Sequence, residues 1–485
     1  MKRFIKYSFF AWLFIGQIGC ESIVDGLNEN PNSPTDAPAM LTLTGVQLYN
    51  TSFHSGLAYL LAGMWAGYHS GVNRQYAEYN NYGINADIFN PVWSDAFQVS
   101  MQAQIVMDKM QLEGNRRIIG IAKVLKANAM GTATAVWGDI PYTEISNSDN
   151  FPNPKFDPQK EVYAKLQTLL DESIADLESG SGASPGTSDI YFGGNVVQWV
   201  AVAHTLKSRY YMETRNYELA YSEAEKGVSS VANSMKTTHG IVLSGNQNPV
   251  YRFLAISRTG DISAKGSYAA ALLDPKSASY RGNAKTDENA RYNFNFINLG
   301  SSGYASGQLE PNYLSVAGGS TFNGIYAQDA KFPLVTYEER LLTLAEAGAR
   351  TKGFAVALGH LNTYRAFMNT GGYINATYTR VYPVKYLPYE EADFATGGMV
   401  NKTGETKELA LLREILQERY VSFIGQILGF NDIRRTAKEA QGVKVPPVFG
   451  AVLPQRFLYA QTEVNSNTNT PKPIPNIFQL TEINK

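Results

Sequence analysis

The chain contains a single cysteine, Cys20, in 485 residues. One thiol excludes disulfide staples, cysteine-rich zinc sites and dithiol redox pairs. Stability must then come from a large core, which 44% hydrophobic residues can supply. Histidine is also scarce. His54, His69, His204, His239 and His360 show no i,i+4 pairing, and no GxSxG, HExxH or Walker A sequence occurs. Charge is low: 18% of residues are charged, against ~25% in an average domain. The net charge is −1, with no Lys/Arg excess to neutralise phosphates, which excludes a nucleic-acid binder. The segments 85–95, NADIFNPVWSD, and 285–291, KTDENAR, scatter Asp and Asn without EF-hand spacing. No cofactor is expected. A structural Ca²⁺ is left open.

Aromatic residues are abundant instead. They make up 12% of the chain, and tyrosine alone supplies 30 residues. A surface poor in charge and rich in tyrosine and amides suits neutral ligands better than polyanions.

The N-terminus sets the compartment. Lys2, Arg3 and Lys6 precede an apolar run from Tyr7 to Ile18, too short to span ~30 Å of hydrocarbon as a helix. The run ends at QIGC. A sole cysteine after a small glycine at the end of a signal peptide reads as a lipoprotein cleavage site, with Cys20 as the lipidated residue. Gln17 stands where such sites usually carry Leu. The expected order is a signal peptide over 1–19, a tether over 20–40 rich in Asn, Pro, Asp and Ser, and one domain over 41–485.

Within that domain, three- and four-residue apolar spacing predicts helices over 40–62, 93–113, 117–137, 158–178, 195–214, 217–232, 336–350, 354–369 and 406–424. Gly138 and Pro141 end the third in WGDIPY. The pattern divides the domain into a helical scaffold over about 41–235 and 336–437, a loop-rich part over about 236–335, and an irregular C-terminal segment over 438–485. Paired helices with short turns predict a mostly α fold of tetratricopeptide-like pairs with long loop-rich insertions, although no clean 34-residue repeat is found.

Several motifs in order carry a resemblance. They are Cys20 followed by LNENPNSP, MGTATAVWGDIPYTE (130–144), FPLVTYEERLLTLAEAGAR (332–350), LREILQERYVSFIGQILGFNDIRRT (412–436) and LPQRFLYAQTEVNSNTNTP (453–471). Together they resemble the SusD/RagB family across nearly the whole chain. The resemblance implies a lipid-anchored protein on the outer face of the outer membrane. It further implies a SusC-like TonB-dependent β-barrel transporter as partner, and oligosaccharide or peptide as ligand, bound without catalysis. From the residues themselves, Glu339 and Glu346 read as scaffold or surface charges. Glu418, Arg419, Asp432, Arg434 and Arg435 read as ion pairs holding the last helices, with anion binding by Arg434 and Arg435 as the alternative.

Sugar binding needs flat rings to stack on pyranose C–H faces, with amides and hydroxyls for the ring hydroxyls. Residues 65–82 offer Trp65, Tyr68, Tyr76, Tyr79 and Tyr82 among Asn73, Arg74, Gln75, Asn80 and Asn81. Residues 292–326 offer a second set, including Tyr304, Tyr313 and Tyr326. The candidate ligand contacts are therefore Trp65, Tyr68, Asn73, Arg74, Tyr76, Tyr79, Tyr82, Tyr304, Tyr313 and Tyr326. The competing reading makes these rings anchors that pin long loops to the scaffold. Two other functions stay open: a glycan-active enzyme, which would need two carboxylates ~5–10 Å apart, and a helical scaffold that binds only protein. Adjacent acids such as Asp171 and Glu172 lie in an amphipathic helix and start no recognisable motif.

Overall fold

The computed structural model describes residues 37–147, 150–243, 245–298, 308–315 and 322–485. Cys20, the expected signal peptide and Tyr304 lie outside these.

The periodic segments fold as helices. They are α1 (Ala39–Ser55), α2 (Leu57–Trp65), α3 (Asn90–Leu112), α4 (Arg116–Trp137), α5 (Gln159–Glu178), α6 (Val196–Glu213), α7 (Tyr217–Glu225), α8 (Tyr337–Thr351), α9 (Phe354–Asn369), α10 (Lys407–Ser422) and α11 (Leu428–Arg435). Side-chain caps satisfy the free N–H groups at many starts. Asn115 caps α4, Asn195 caps α6, Asn216 caps α7 and Thr406 caps α10. Thr336 and Glu339 form a reciprocal capping box at α8.

Two boundaries differ from the periodicity. The helix expected over 40–62 is broken by Gly56, whose backbone leaves the helical region at φ −95° and ψ −141°. The helix expected over 217–232 stops at Glu225, because Lys226 and Gly227 turn back onto Glu223 and Ala224 through backbone bonds.

Consecutive helices pack on one another from α3 through α7, and α7 then packs on α8 across the insertion between them. This is a mostly α, tetratricopeptide-like scaffold. Glycine permits the closest approach: a Cβ at Gly131 in α4 would overlap the Tyr210 ring of α6. The insertion carries short helices, such as Tyr268–Leu273 and Asn289–Asn295, and strands of two or three residues in antiparallel pairs. The C-terminal segment has little regular structure, yet it enters the core. Phe457 donates its backbone N–H to Val136 at 2.8 Å, and Trp137 donates from its indole to the Leu458 carbonyl at 2.8 Å. WGDIPY is thus a helix-ending turn that buries Trp137, with Gly138 at φ +83°.

Buried ion pairs join the two halves. Glu346 receives Arg435 at 2.6 Å, Arg419 at 3.0 Å and Arg350 at 3.0 Å. Asp432 bridges Arg419 and Arg435, both at 2.8 Å. Glu339 is held by Arg209 at 2.6 Å. Glu339 and Glu346 are therefore buried scaffold charges. Arg434 departs from the expected ion pairing. Its guanidinium donates to the carbonyls of Ala135 and Gln455, both at 2.9 Å, and to the Asn431 side chain at 2.6 Å. Burial lowers it to about 10. With both guanidiniums spent inside the protein, neither Arg434 nor Arg435 faces an external anion.

A second cluster ties the insertion to α10. Arg281 pairs with Glu288, and with Glu414 and Glu418 at 2.8 Å. Arg291 pairs with Glu418 at 2.7 Å and Glu288 at 2.9 Å. Burial alone would raise the Glu418 carboxyl, but the Arg281 and Arg291 guanidiniums outweigh it and hold it at about 2. A carboxylate depressed in the folded state adds stability above its unfolded pKa and loses it as pH falls through the folded value. Glu418→Gln should cost about 3–5 kcal/mol at pH 7, because it leaves buried guanidiniums uncompensated. In thermal melts the gap to wild type should shrink as pH drops from about 4.5 towards 2. A gap independent of pH would contradict this account.

Candidate ligand-binding surface

The tyrosine-rich segment begins where α2 ends. Ser70–Gly71 forms a two-residue strand, and a short helix, Arg74–Asn80, follows. Asn73 caps that helix by accepting from the Arg74 N–H at 3.0 Å. Arg74 and Tyr82 occupy the left-handed region, at φ +48° and +67°, an uncommon conformation for residues with a Cβ. Tertiary contacts hold both. Arg74 Nη1 lies 3.2 Å from buried Asp261. Tyr82 accepts from the Val448 N–H at 2.9 Å and meets Phe478 edge-on.

Most of the predicted rings are covered. Trp65 is buried edge-on against Phe457. Tyr68 is 1% exposed, stacks near Tyr420 and donates to its carbonyl at 2.8 Å. Tyr326 is buried with its hydroxyl on that of Tyr59, and Tyr313 is buried as well. Tyr76 is buried between Tyr79 and Phe253, with ring centroids at 5.5 and 4.9 Å. The sequence spacing places Tyr76, Tyr79 and Tyr82 along one side of a helix. The structure turns Tyr82 away beyond the helix end, towards the C-terminal segment. Tyr79 remains half-buried, and Asn73 and Arg74 are exposed.

The two predicted segments do meet, through a third that sequence reasoning missed. Ser70–Gly71 pairs antiparallel with Ile262–Ser263. The Ala264 N–H and the Ser263 hydroxyl both donate to the Leu309 carbonyl, at 2.7 and 2.8 Å. Leu309–Pro311 in turn pairs with Phe296–Asn298. Phe253, Asp261 and Glu310 thus join the surface, with nothing in their local sequence to announce the pairing. Glu310 is buried, and burial pushes its carboxyl up to about 7.

Chemically, the surface offers two half-buried rings, Tyr79 and Phe253, an exposed amide and a half-exposed guanidinium whose other side is fixed by Asp261. That combination can stack on a ligand face and donate hydrogen bonds. Asp171 and Glu172 are engaged separately, by Lys207 at 2.5 Å and Lys123 at 2.8 Å. Among the described residues, no group of three or more His, Cys, Asp or Glu side chains could hold a metal ion. Among them, too, no helix is long and apolar enough to cross a membrane.

A SusD-like family model, described as "Starch-binding associating with outer membrane", matches residues 29–438. The chain belongs to the SusD-like family. Solved structures share its fold. A SusD/RagB family protein from Bacteroides thetaiotaomicron is 19% identical with a TM-score of 0.69, over 93% of this chain and 99% of that one. A SusD homologue from Bacteroides fragilis is 16% identical at a TM-score of 0.66, over 92% and 100%. A chitin-binding SusD homologue from Flavobacterium johnsoniae is 18% identical at 0.63, over 90% and 98%. No curated protein matches the chain.

Two measurements separate anchors from open rings in this SusD-like surface. Tyr68→Ala should cost about 3–5 kcal/mol of folding stability, whereas Tyr79→Ala should cost about 1 kcal/mol or less. Equal losses in denaturant titrations would overturn the distinction. The second concerns Glu310. Its carboxyl is raised in the folded state, so its favourable contribution is present below the unfolded pKa and is lost as pH rises through about 7. Glu310→Gln should therefore melt above wild type at pH 8 and level with it near pH 4. A reversed order at pH 8 would refute the assignment.

Proposed function

We propose that this SusD-like chain is a lipid-anchored protein of the outer cell surface. It captures oligosaccharide, with peptide as the alternative ligand, and delivers it to a SusC-like TonB-dependent transporter without catalysing a reaction. The family match over 29–438 carries this reading. The shared fold of a chitin-binding homologue supports glycan as the ligand class. Low charge points the same way: many of the carboxylates and arginines are paired with each other inside the scaffold, which leaves the tyrosine-rich surface with amides and rings. Attachment would be through Cys20 and the 20–40 tether. The contacts assigned to ligand are Tyr79, Asn73 and Arg74, held in place by the buried rings around them.

Two experiments test the reading. A pull-down of the lipidated chain from its native membranes should recover a TonB-dependent β-barrel, and repeated recovery of none would defeat the transporter assignment. On an array of soluble glycans and short peptides, the chain should bind at least one class. Tyr79→Ala should weaken that binding at least tenfold with little change in melting temperature. Hydrolysis of a bound glycan by the purified chain would defeat the non-catalytic assignment.

A further inference from the structure

A cavity of about 720 Å³ lies where the turn after α4 meets the C-terminal segment. That volume falls within the range of small-molecule sites, about 300–1,000 Å³. The capture reading does not use it. One contact joins it to the tyrosine-rich segment: Phe478, in its wall, meets Tyr82 edge-on at 6.0 Å.

Arg456 organises the polar wall. Its backbone N–H donates to the Ile477 carbonyl at 3.2 Å, which seats Phe478 beside it. Its Nη2 donates to the Trp137 carbonyl, and its Nε to the Phe457 carbonyl at 3.4 Å. The guanidinium carbon lies 4.9 Å from the centre of the Tyr459 ring, whose hydroxyl donates to the Asp139 carbonyl at 2.9 Å. Nη1 lies 3.6 Å from the point where a Cβ on Gly138 would stand, and Thr481 comes within 3.5 Å of the same point. Direct contacts thus gather Arg456, Asp139 and Phe478 around one glycine turn.

Arg456 is 5% exposed and makes no ion pair among the described residues. The two carbonyls and the Tyr459 hydroxyl leave part of its donor fork without an acceptor. Asp139 makes no ion pair either. Its Oδ1 accepts from the Gln159 N–H at 2.9 Å, and its Oδ2 accepts from none of the described residues. The other charged residues at the cavity are Glu482, held by Lys160 at 3.4 Å, and Lys485, which is exposed.

This balance of two acids and two bases decides the ligand class. An anion drawn to Arg456 would also face Asp139 and Glu482. A cation drawn to those acids would also face Arg456 and Lys485. A hydroxyl both accepts and donates, so adjacent hydroxyls accept from Arg456 and donate to Asp139 at once. The apolar wall fits the same ligand. Phe478 is 45% exposed, and Pro471 and Pro475 line the cavity with it. A flat ring suits the C–H face of a pyranose.

We propose that this cavity is a second oligosaccharide subsite, with Phe478 against a pyranose face and adjacent hydroxyls of that ring bridging Arg456 and Asp139. The inference rests on glycan as the ligand class in the capture reading and adds a site separate from Tyr79.

Calorimetric titration of the purified full chain with maltotriose and with chitotriose tests it. At least one probe should bind the wild type, and Tyr79→Ala should leave residual binding of that probe. In the Tyr79→Ala background, Phe478→Ala should weaken the residual binding tenfold or more, and Phe478→Trp should keep it within threefold. Asp139→Asn, which keeps an acceptor for Gln159, should weaken it at least threefold with little change in melting temperature. Residual binding that Phe478→Ala leaves unchanged, or no residual binding in Tyr79→Ala, would overturn this inference alone. A wild type that binds neither probe at millimolar concentration would defeat glycan as the ligand class, and the inference with it.

Discussion

Glu346 sits inside α8 among three guanidiniums, and the closure of the scaffold depends on it. A carboxylate buried this deeply stays ionised only if opposite charge surrounds it. Arg419 from α10 and Arg435 from α11 provide that charge, so the last helices can seat in one register only. Asp432 completes the lattice by joining the same two arginines. Such a cluster need not be more stable than an apolar core of equal volume. Its effect here is selective: a helix that slid by one turn would strand several buried charges at once. α10 also carries Glu414 and Glu418 towards Arg281 and Arg291 of the insertion. One helix therefore positions both the end of the scaffold and the loop-rich wall resting on it.

The tyrosine content follows from the same architecture. Long loops leave backbone carbonyls without helix or sheet partners, and buried ones must be satisfied. Tyrosine packs its ring into the core and delivers a hydroxyl at the rim. Tyr68 donates to Tyr420, Tyr420 to Ala66, Tyr210 to Ala127 and Tyr459 to Asp139, all at backbone carbonyls. The rings that look like a binding platform in sequence are mostly the fasteners of that platform. What stays open is narrower: the half-buried Tyr79 near the end of the short helix, and exposed Asn73 and Arg74 at its start.

Much of the fold was legible along the chain because helix formation is a local event. Apolar spacing, Asn and Thr caps and the stop at Gly138 all act within a turn or two, and the helices appear close to where these signals fall. Gly56 is the instructive exception, since glycine inside an apolar pattern reads as tolerated, yet the backbone leaves the helical region there. The motifs around 130–144, 332–350 and 412–436 also carried the family resemblance, because those segments build the scaffold core.

The site was less legible. Whether a tyrosine is open or covered depends on what lies across from it, and for Tyr76 that is Phe253, far along the chain. Arg434 and Arg435 are neighbours in sequence with identical side chains, yet one closes on carbonyls and the other on Glu346. Glu338 and Glu339 are likewise adjacent, and only Glu339 meets an arginine. By itself the sequence determined the helices, the lack of disulfides and the supply of rings and amides, since these follow from composition and from spacing within a few residues. Tertiary structure alone decided which rings remain open and which carboxylates meet an arginine, because both are set by packing between segments that sequence distance does not relate.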